Sequence, residues 1–121
     1  MKQKVYLAGG FSEWRDKVQE LTNVEFYNSE RRPNHPHWSE YGAWDIHFVK
    51  QCDICFAFLD KNNPSGYGMC AEVGYAKALN KTVILIIESE HPASRYFDFL
   101  RAFADVVYET LDEGIEYLKI Y

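Results

Sequence analysis

Residues 54 to 74 read Ile54-Cys55-Phe56-Ala57-Phe58-Leu59, then Asp60-Lys61-Asn62-Asn63-Pro64-Ser65-Gly66-Tyr67, then Gly68-Met69-Cys70-Ala71-Glu72-Val73-Gly74. The first piece is an unbroken apolar run of strand length, and Lys61 to Gly66 within the second is a cluster of turn formers. The third opens a helix just past a glycine, so strand, loop and helix follow in order. With Gly68 near the N-cap, Glu72 is expected within the first helical turn or just beyond it, where unpaired amides and the helix dipole favour a negative charge. A carboxylate at a crevice rim is also what a nucleophile for an electrophilic carbon requires. Spacing alone leaves both readings open: a nucleophile, or an acid that complements the dipole of a solvated helix start.

Working outward, Thr82-Val83-Ile84-Leu85-Ile86-Ile87 is β-branched or apolar throughout, the mark of a parallel strand covered on both faces. Toward the N-terminus, Lys4 to Ala8 reads as a first strand and Gly9-Gly10 as a turn. A helix is expected from Ser12 to Leu21, with Ser12 as its cap and Trp14, Val18 and Leu21 on one face. Val24 to Tyr27 reads as a short second strand, followed by a polar, proline-bearing loop from Asn28 to Ser39. Long ordered loops in small domains often carry function, which makes Arg31, Arg32 and Trp38 candidate ligand contacts. Helices are expected over Glu40 to Gln51, with Tyr41, Trp44, Ile46 and Phe48 apolar, and over Met69 to Leu79. Ser94 to Phe103 reads as helical, Ala104 to Tyr108 as a last strand and Leu111 to Ile120 as a closing amphipathic helix.

Alternating strands and helices predict an α/β fold: a doubly wound, flavodoxin-like, mostly parallel sheet of about five strands with helices on both faces. Residues 1–121 are expected to form one domain, with neither an internal repeat nor a flexible linker. Ligands of such sheets bind beyond the carboxyl ends of the strands, where strand order reverses. The Gly9-Gly10 turn, the Asp60 to Gly68 loop and the start of Glu72's helix are expected to meet there. This puts Gly9, Gly10, Asp60, Ser65, Gly66, Gly68 and Met69 among the candidate substrate contacts, with Asp60 equally readable as a simple turn residue.

Composition narrows the partners. The hydrophobic share of 47% and the charged share of 26% exclude a disordered chain. A formal charge of −5 without a basic run argues against a nucleic-acid polymer, and leaves a small ligand as partner. No apolar run approaches a signal peptide or a membrane span, so the expectation is a cytoplasmic protein that does not engage a membrane. Three cysteines, an odd count, argue against a disulfide framework, and Cys52 with Cys55 lacks a second pair at zinc-finger spacing. His35 and His37 flank a proline, but such a loop pair without a companion acid or cysteine is more often no metal site. Neither a metal nor another cofactor is expected. Aromatic residues make up 17%, more than a core this small needs, which suits stacking on a planar ligand or an interface between subunits.

Taken together, several pieces resemble the nucleoside 2-deoxyribosyltransferase superfamily, which includes nucleotide N-glycosidases. They are Val5-Tyr6-Leu7-Ala8-Gly9-Gly10, Asn28-Ser29-Glu30-Arg31-Arg32-Pro33, Trp44-Asp45 ahead of Cys52-Asp53-Ile54, and Gly68-Met69-Cys70-Ala71-Glu72-Val73-Gly74-Tyr75-Ala76. The similarity spans most of residues 4 to 88. It implies that Glu72 attacks the anomeric carbon of a deoxynucleoside and forms a glycosyl ester, which a second base or water then displaces. It further implies that Tyr6 holds the nucleophile by a hydrogen bond and that Asp45 contacts the substrate and protonates the departing base. Taken without the resemblance, Tyr6 is a strand-end core tyrosine and Asp45 a helix-surface acid.

One departure bears on substrate. Transferases of this superfamily carry an aspartate six residues before the nucleophile, for the sugar hydroxyls, and nucleotide hydrolases a serine, for phosphate. Here the position is Gly66. Ser65 with Arg15, Arg31 or Arg32 would suit a 5′-phosphate instead, a slight lean toward monophosphate hydrolysis. The resemblance also implies a homo-oligomer in which a neighbouring subunit completes each site. The competing expectation is a non-catalytic module that senses a nucleotide in the same crevice. An electron carrier fits less well, because the first loop lacks a phosphate-binding run of Ser and Thr.

Overall fold

A computed structural model describes residues 1–32, 37–62, 66–92 and 94–121. The chain runs β1 (Lys4–Gly9), α1 (Trp14–Val18), β2 (Glu25–Asn28), a 3₁₀ turn (Ser29–Arg31), α2 (Trp38–Gln51), β3 (Ile54–Leu59), α3 (Tyr67–Ala78), β4 (Thr82–Ile87), a 3₁₀ segment (Ser94–Phe103), β5 (Val106–Tyr108) and α4 (Leu111–Leu118). The strands form one sheet in the order β2-β1-β3-β4-β5, and every pairing is parallel. This is the doubly wound architecture expected of the sequence, with the order reversing between β1 and β3.

Alternation along the strands assigns each side chain to a layer. Tyr6, Ala8, Cys55, Ala57, Leu59, Val83, Leu85 and Ile87 pack with Val49 of α2, with Met69, Val73 and Ala76 of α3, and with Phe97 and Leu100. Val5, Leu7, Ile54, Phe56, Phe58, Ile84 and Ile86 pack with Trp14 and Val18 of α1 and Leu118 of α4. β3 is buried at every position, as a strand covered on both faces must be.

Several boundaries differ from the sequence expectation. β1 continues through Gly9, which pairs with Phe58. Glycine is required there: φ is +140°, and a Cβ would stand 2.4 Å from the Phe58 carbonyl oxygen. Helix α1 is confined to Trp14–Val18, and Ser12 does not cap it; the residue at the cap is Glu13, in helical geometry with no side-chain cap bond. The entry is organised from within the helix instead, by Trp14 Nε1 and Arg15 Nε donating to the Gly10 carbonyl at 2.8 and 3.2 Å. The expected Asn28–Ser39 loop is partly regular. Asn28 Oδ1 accepts from the Glu30 amide and caps the 3₁₀ turn, while α2 begins already at Trp38, with His37 Nδ1 accepting from the Ser39 amide.

His37 is thus a helix cap, and His35 lies outside the described residues. Among the described residues no group of three His, Cys, Asp or Glu side chains is placed to hold a metal ion. Nor, among them, is any helix long and apolar enough to cross a membrane. Cys52 and Cys55 are buried free thiols, both pushed up by burial, to about 12 for Cys52.

Candidate active site

Where β1 and β3 end, the chain leaves the sheet in opposite directions and a cavity of about 440 Å³ opens between the strand ends, α2 and the first turns of α3. Its polar wall is formed by Arg15, Ser29, Arg32, Asp45 and Glu72. Much of the rest is apolar or aromatic, including Phe11, Tyr41, Ile46, Tyr67 and Tyr75. A mainly apolar pocket with a few convergent polar groups is the usual form of a small-molecule site.

The helix that carries Glu72 begins earlier than the expected start near Gly68, and Glu72 lies just beyond its first turn. Helix α3 starts at Tyr67 with Gly66 at its cap, so Glu72 falls in the second turn and the first turn holds no acid. The dipole account of this residue therefore fails, since that effect fades beyond the first turn. Helical spacing aligns Gly68, Ala71, Glu72 and Tyr75 along the cavity wall, while Val73 and Ala76 turn into the core and Met69 borders both. Burial pushes the Glu72 carboxyl up to about 7, opposed by a hydrogen bond from Tyr6 and reinforced by the charge of Asp45; Arg15 and Arg32 pull it down.

Tyr6, in the middle of β1, points into the α2–α3 layer and is fully buried. Its hydroxyl donates to Glu72 Oε2. Burial first, then the neighbouring Glu72, raises the Tyr6 hydroxyl well above its ordinary value, so it remains a donor throughout the accessible pH range. It does not border the cavity; it anchors from beneath a carboxylate that does.

Asp45 sits on α2 one turn from Tyr41 and one turn from Val49, all on the cavity wall. Arg32 Nη1 donates to Asp45 Oδ1 at 3.2 Å and Oδ2 at 3.4 Å, and also to the Ser29 carbonyl at 3.2 Å. Burial raises the Asp45 carboxyl, and Arg32 and Arg15 oppose that rise. The Arg32 guanidinium lies 5.7 Å from the ring centre of Phe11 and 5.2 Å from that of Tyr41, within cation–π range.

Of the residues singled out in the sequence, Gly9, Arg32, Asp45, Gly66, Gly68, Met69 and Glu72 reach the cavity wall. Gly10, Arg31 and Asp60 do not. The Gly10 carbonyl is held by Trp14 and Arg15, Arg31 faces solvent with Asp16 at 3.2 Å, and Asp60 Oδ1 accepts from the Asn62 amide as a turn residue. Ser65 lies outside the described residues. Trp38 is 69% exposed beside the mouth. Arg15, considered in the sequence only as a phosphate partner, is buried and directs its guanidinium at protein acceptors. The rings of Tyr41 and Tyr75 were missed, although each stands at helical spacing from an acid already named: Tyr41 four residues before Asp45, Tyr75 three after Glu72.

Residues 5–116 match the family model described as nucleoside 2-deoxyribosyltransferase. The chain belongs to that family. The match runs beyond the segment 4 to 88 that carries the motifs and takes in most of the fold. Among solved structures, the chain is similar to a CMP N-glycosidase from Clostridium botulinum, with 24% identity over 98% of this chain and 100% of that one and a TM-score of 0.64. A 2-deoxyribosyltransferase from Bacillus psychrosaccharolyticus shares 16% identity over 94% of this chain and 91% of its own, with a TM-score of 0.70. A 2-deoxyribosyltransferase from Leishmania mexicana shares 17% identity over 97% of both chains, with a TM-score of 0.73. At these identities the likeness is one of fold. No curated protein sequence matches the chain. Family membership makes this deoxyribosyltransferase-like protein an enzyme.

Proposed function

We infer that this family member cleaves or transfers at the N-glycosidic bond of a 2′-deoxynucleoside or its 5′-monophosphate, with Glu72 as nucleophile. The observation that carries the reading is the bond from Tyr6 to Glu72 at the wall of a cavity that also holds Asp45. A Glu72 oxygen attacks C1′; the C1′–N bond breaks with its electron pair leaving on the base, and Asp45 supplies the proton that neutralises it. Water or a second base then attacks C1′ of the glycosyl ester and restores the carboxylate, returning a proton to Asp45. The transition states resemble an oxocarbenium ion, and the adjacent carboxylate stabilises that charge before bonding to it.

The ionisation states suit these roles. Glu72 must be charged to attack, and Tyr6 is a permanent donor that holds it. Burial raises the Asp45 carboxyl, the direction a proton donor needs, against the pull of Arg32 and Arg15. The fold likeness to a CMP N-glycosidase and to 2-deoxyribosyltransferases supports both the hydrolytic and the transfer outcome. A purely sensing site is disfavoured, because Glu72 faces the cavity and among the described residues is not locked in an ion pair. Exposed apolar groups around the mouth, with Ile46 at 51% and Tyr67 at 86%, support a homo-oligomer in which a second copy closes the site.

The test is base release, followed by chromatography, from a panel of deoxynucleosides and their 5′-monophosphates, with and without an acceptor base. Wild type is expected to release base and Glu72→Ala not to. Release that requires an acceptor identifies a transferase, and release in water alone a hydrolase. Ligand binding without turnover by wild type would leave a nucleotide sensor.

A further inference from the structure

Arg15 is a charged side chain only 1% exposed, yet it lies at the wall of the cavity. An arginine there invites assignment to a substrate phosphate, since its fork matches that group. The hydrogen bonds say otherwise. Nε donates to the Gly10 carbonyl at 3.2 Å and Nη2 to the Gly9 carbonyl at 2.7 Å. Nη1 approaches the Leu7 carbonyl at 3.2 Å, Asn28 Oδ1 at 2.8 Å and Ser29 Oγ at 3.4 Å. A desolvated guanidinium needs such partners, and here the protein provides them before any ligand arrives.

The partners lie where β1 and β2 part company. Leu7 pairs with Asn28 in the last register of that ladder, and beyond it the two strands lead into different loops. Arg15 bridges the gap. From Asn28 and Ser29 the connection continues through the Ser29 carbonyl to Arg32, and from Arg32 to Asp45. In the other direction, Gly9 and Gly10 close the end of the strand that carries Tyr6, and Tyr6 holds Glu72. The two acids of the cavity therefore share one clamp.

We propose that Arg15 is a positioning residue for the Glu72–Tyr6–Asp45 group, fixing the end of β1 against the Asn28–Ser29 corner, and that it takes no group of the substrate. The assignment rests on the reading of Glu72 and Asp45 given above. Its positive charge also favours the ionised forms of Glu72 and Asp45, which supplies a readout that a purely mechanical strut would not move.

The test compares wild type with Arg15→Lys and Arg15→Met. The Glu72 carboxyl is titrated without substrate by carbon NMR of side-chain-labelled protein, and kcat and KM are measured for a deoxynucleoside and its 5′-monophosphate. Arg15→Met should move the Glu72 titration to higher pH, and Arg15→Lys, which keeps the charge, should largely restore it. Both should lower kcat by about tenfold or more, with the ratio of the two KM values unchanged within about twofold. A rise in KM for the monophosphate alone would make Arg15 a substrate ligand and overturn the proposal, as would a Glu72 titration that Arg15→Met leaves in place. Should Arg15→Met not fold, Arg15→Lys still gives the KM comparison. Asn28→Ala, which cuts the bridge and leaves the charge, should then lower kcat at an unmoved Glu72 titration, and an unchanged kcat would contradict the clamp. Absence of turnover by wild type would defeat the functional reading, while the Glu72 titration would still decide whether Arg15 is coupled to it.

Discussion

Leu7 and Tyr6 are adjacent on β1, both fully buried, and they enter opposite layers. Around Leu7 the α1–α4 layer is closed by apolar contacts, with Trp14 stacked on Phe56 at 6.3 Å between ring centres and meeting Phe58 edge-on at 5.3 Å. Around Tyr6 the α2–α3 layer ends in a cavity that holds Asp45, Glu72 and Arg32. One layer supplies cohesion. The other places a carboxyl where burial raises it to about 7, the kind of perturbation that clusters at functional sites.

The contrast is broken most severely at Glu72. Glu72→Gln should lower base release by roughly a thousandfold or more, as loss of a nucleophile does, while leaving the melting temperature unchanged or higher. Release assays and thermal unfolding on one preparation read both quantities. Phe56→Ala, in the other layer, should do the reverse. It removes a ring 0% exposed and costs about 3–5 kcal/mol of stability in denaturant unfolding, with the pH profile of the remaining activity unchanged.

Smaller changes sharpen the picture. The kcat/KM profile should rise with pH through about 7 as Glu72 ionises. Tyr6→Phe removes a hydrogen bond that favours the carboxylate and should move that limb to higher pH, whereas Asp45→Asn removes an opposing charge and should move it lower. Shifts in the same direction for both variants would contradict the electrostatic account. The smallest effect is on stability itself. An unfolded Glu72 releases its proton near 4.5 and the folded one near 7, so between these values the folded state holds more protons and stability falls as pH rises. Unfolding at a series of pH values should show that decline in wild type and a flatter curve in Glu72→Gln.

Most of the sheet was legible because strands buried on both faces leave an unmistakable apolar run, as Ile54–Leu59 and Thr82–Ile87 do. The ends of helices were not. Ser12 looks like a cap, but tertiary bonds from Trp14 and Arg15 set the entry of α1. Gly68 looked like the helix start, yet Gly66 takes that place against Leu59 and Phe97, where a Cβ would stand 3.0 Å from Leu59 Cδ1. Glu72 stands out from its place after the glycine-bearing loop, Tyr6 and Asp45 take their roles only from the resemblance, and the convergence of the three is legible only through topology. Arg31 and Arg32 are neighbours in sequence with opposite fates, one facing solvent and the other bonded to Asp45, because the 3₁₀ turn ending at Arg31 sends successive side chains apart. No local pattern separates them.

The central claim is a covalent bond to Glu72. Wild type and Glu72→Gln, quenched with acid during turnover of a deoxynucleoside, can be digested and read by peptide mass spectrometry. The account predicts a deoxyribosyl mass on the wild-type peptide that contains Glu72 and none on the variant. Turnover with that peptide unmodified, together with undiminished base release by Glu72→Gln, would contradict it.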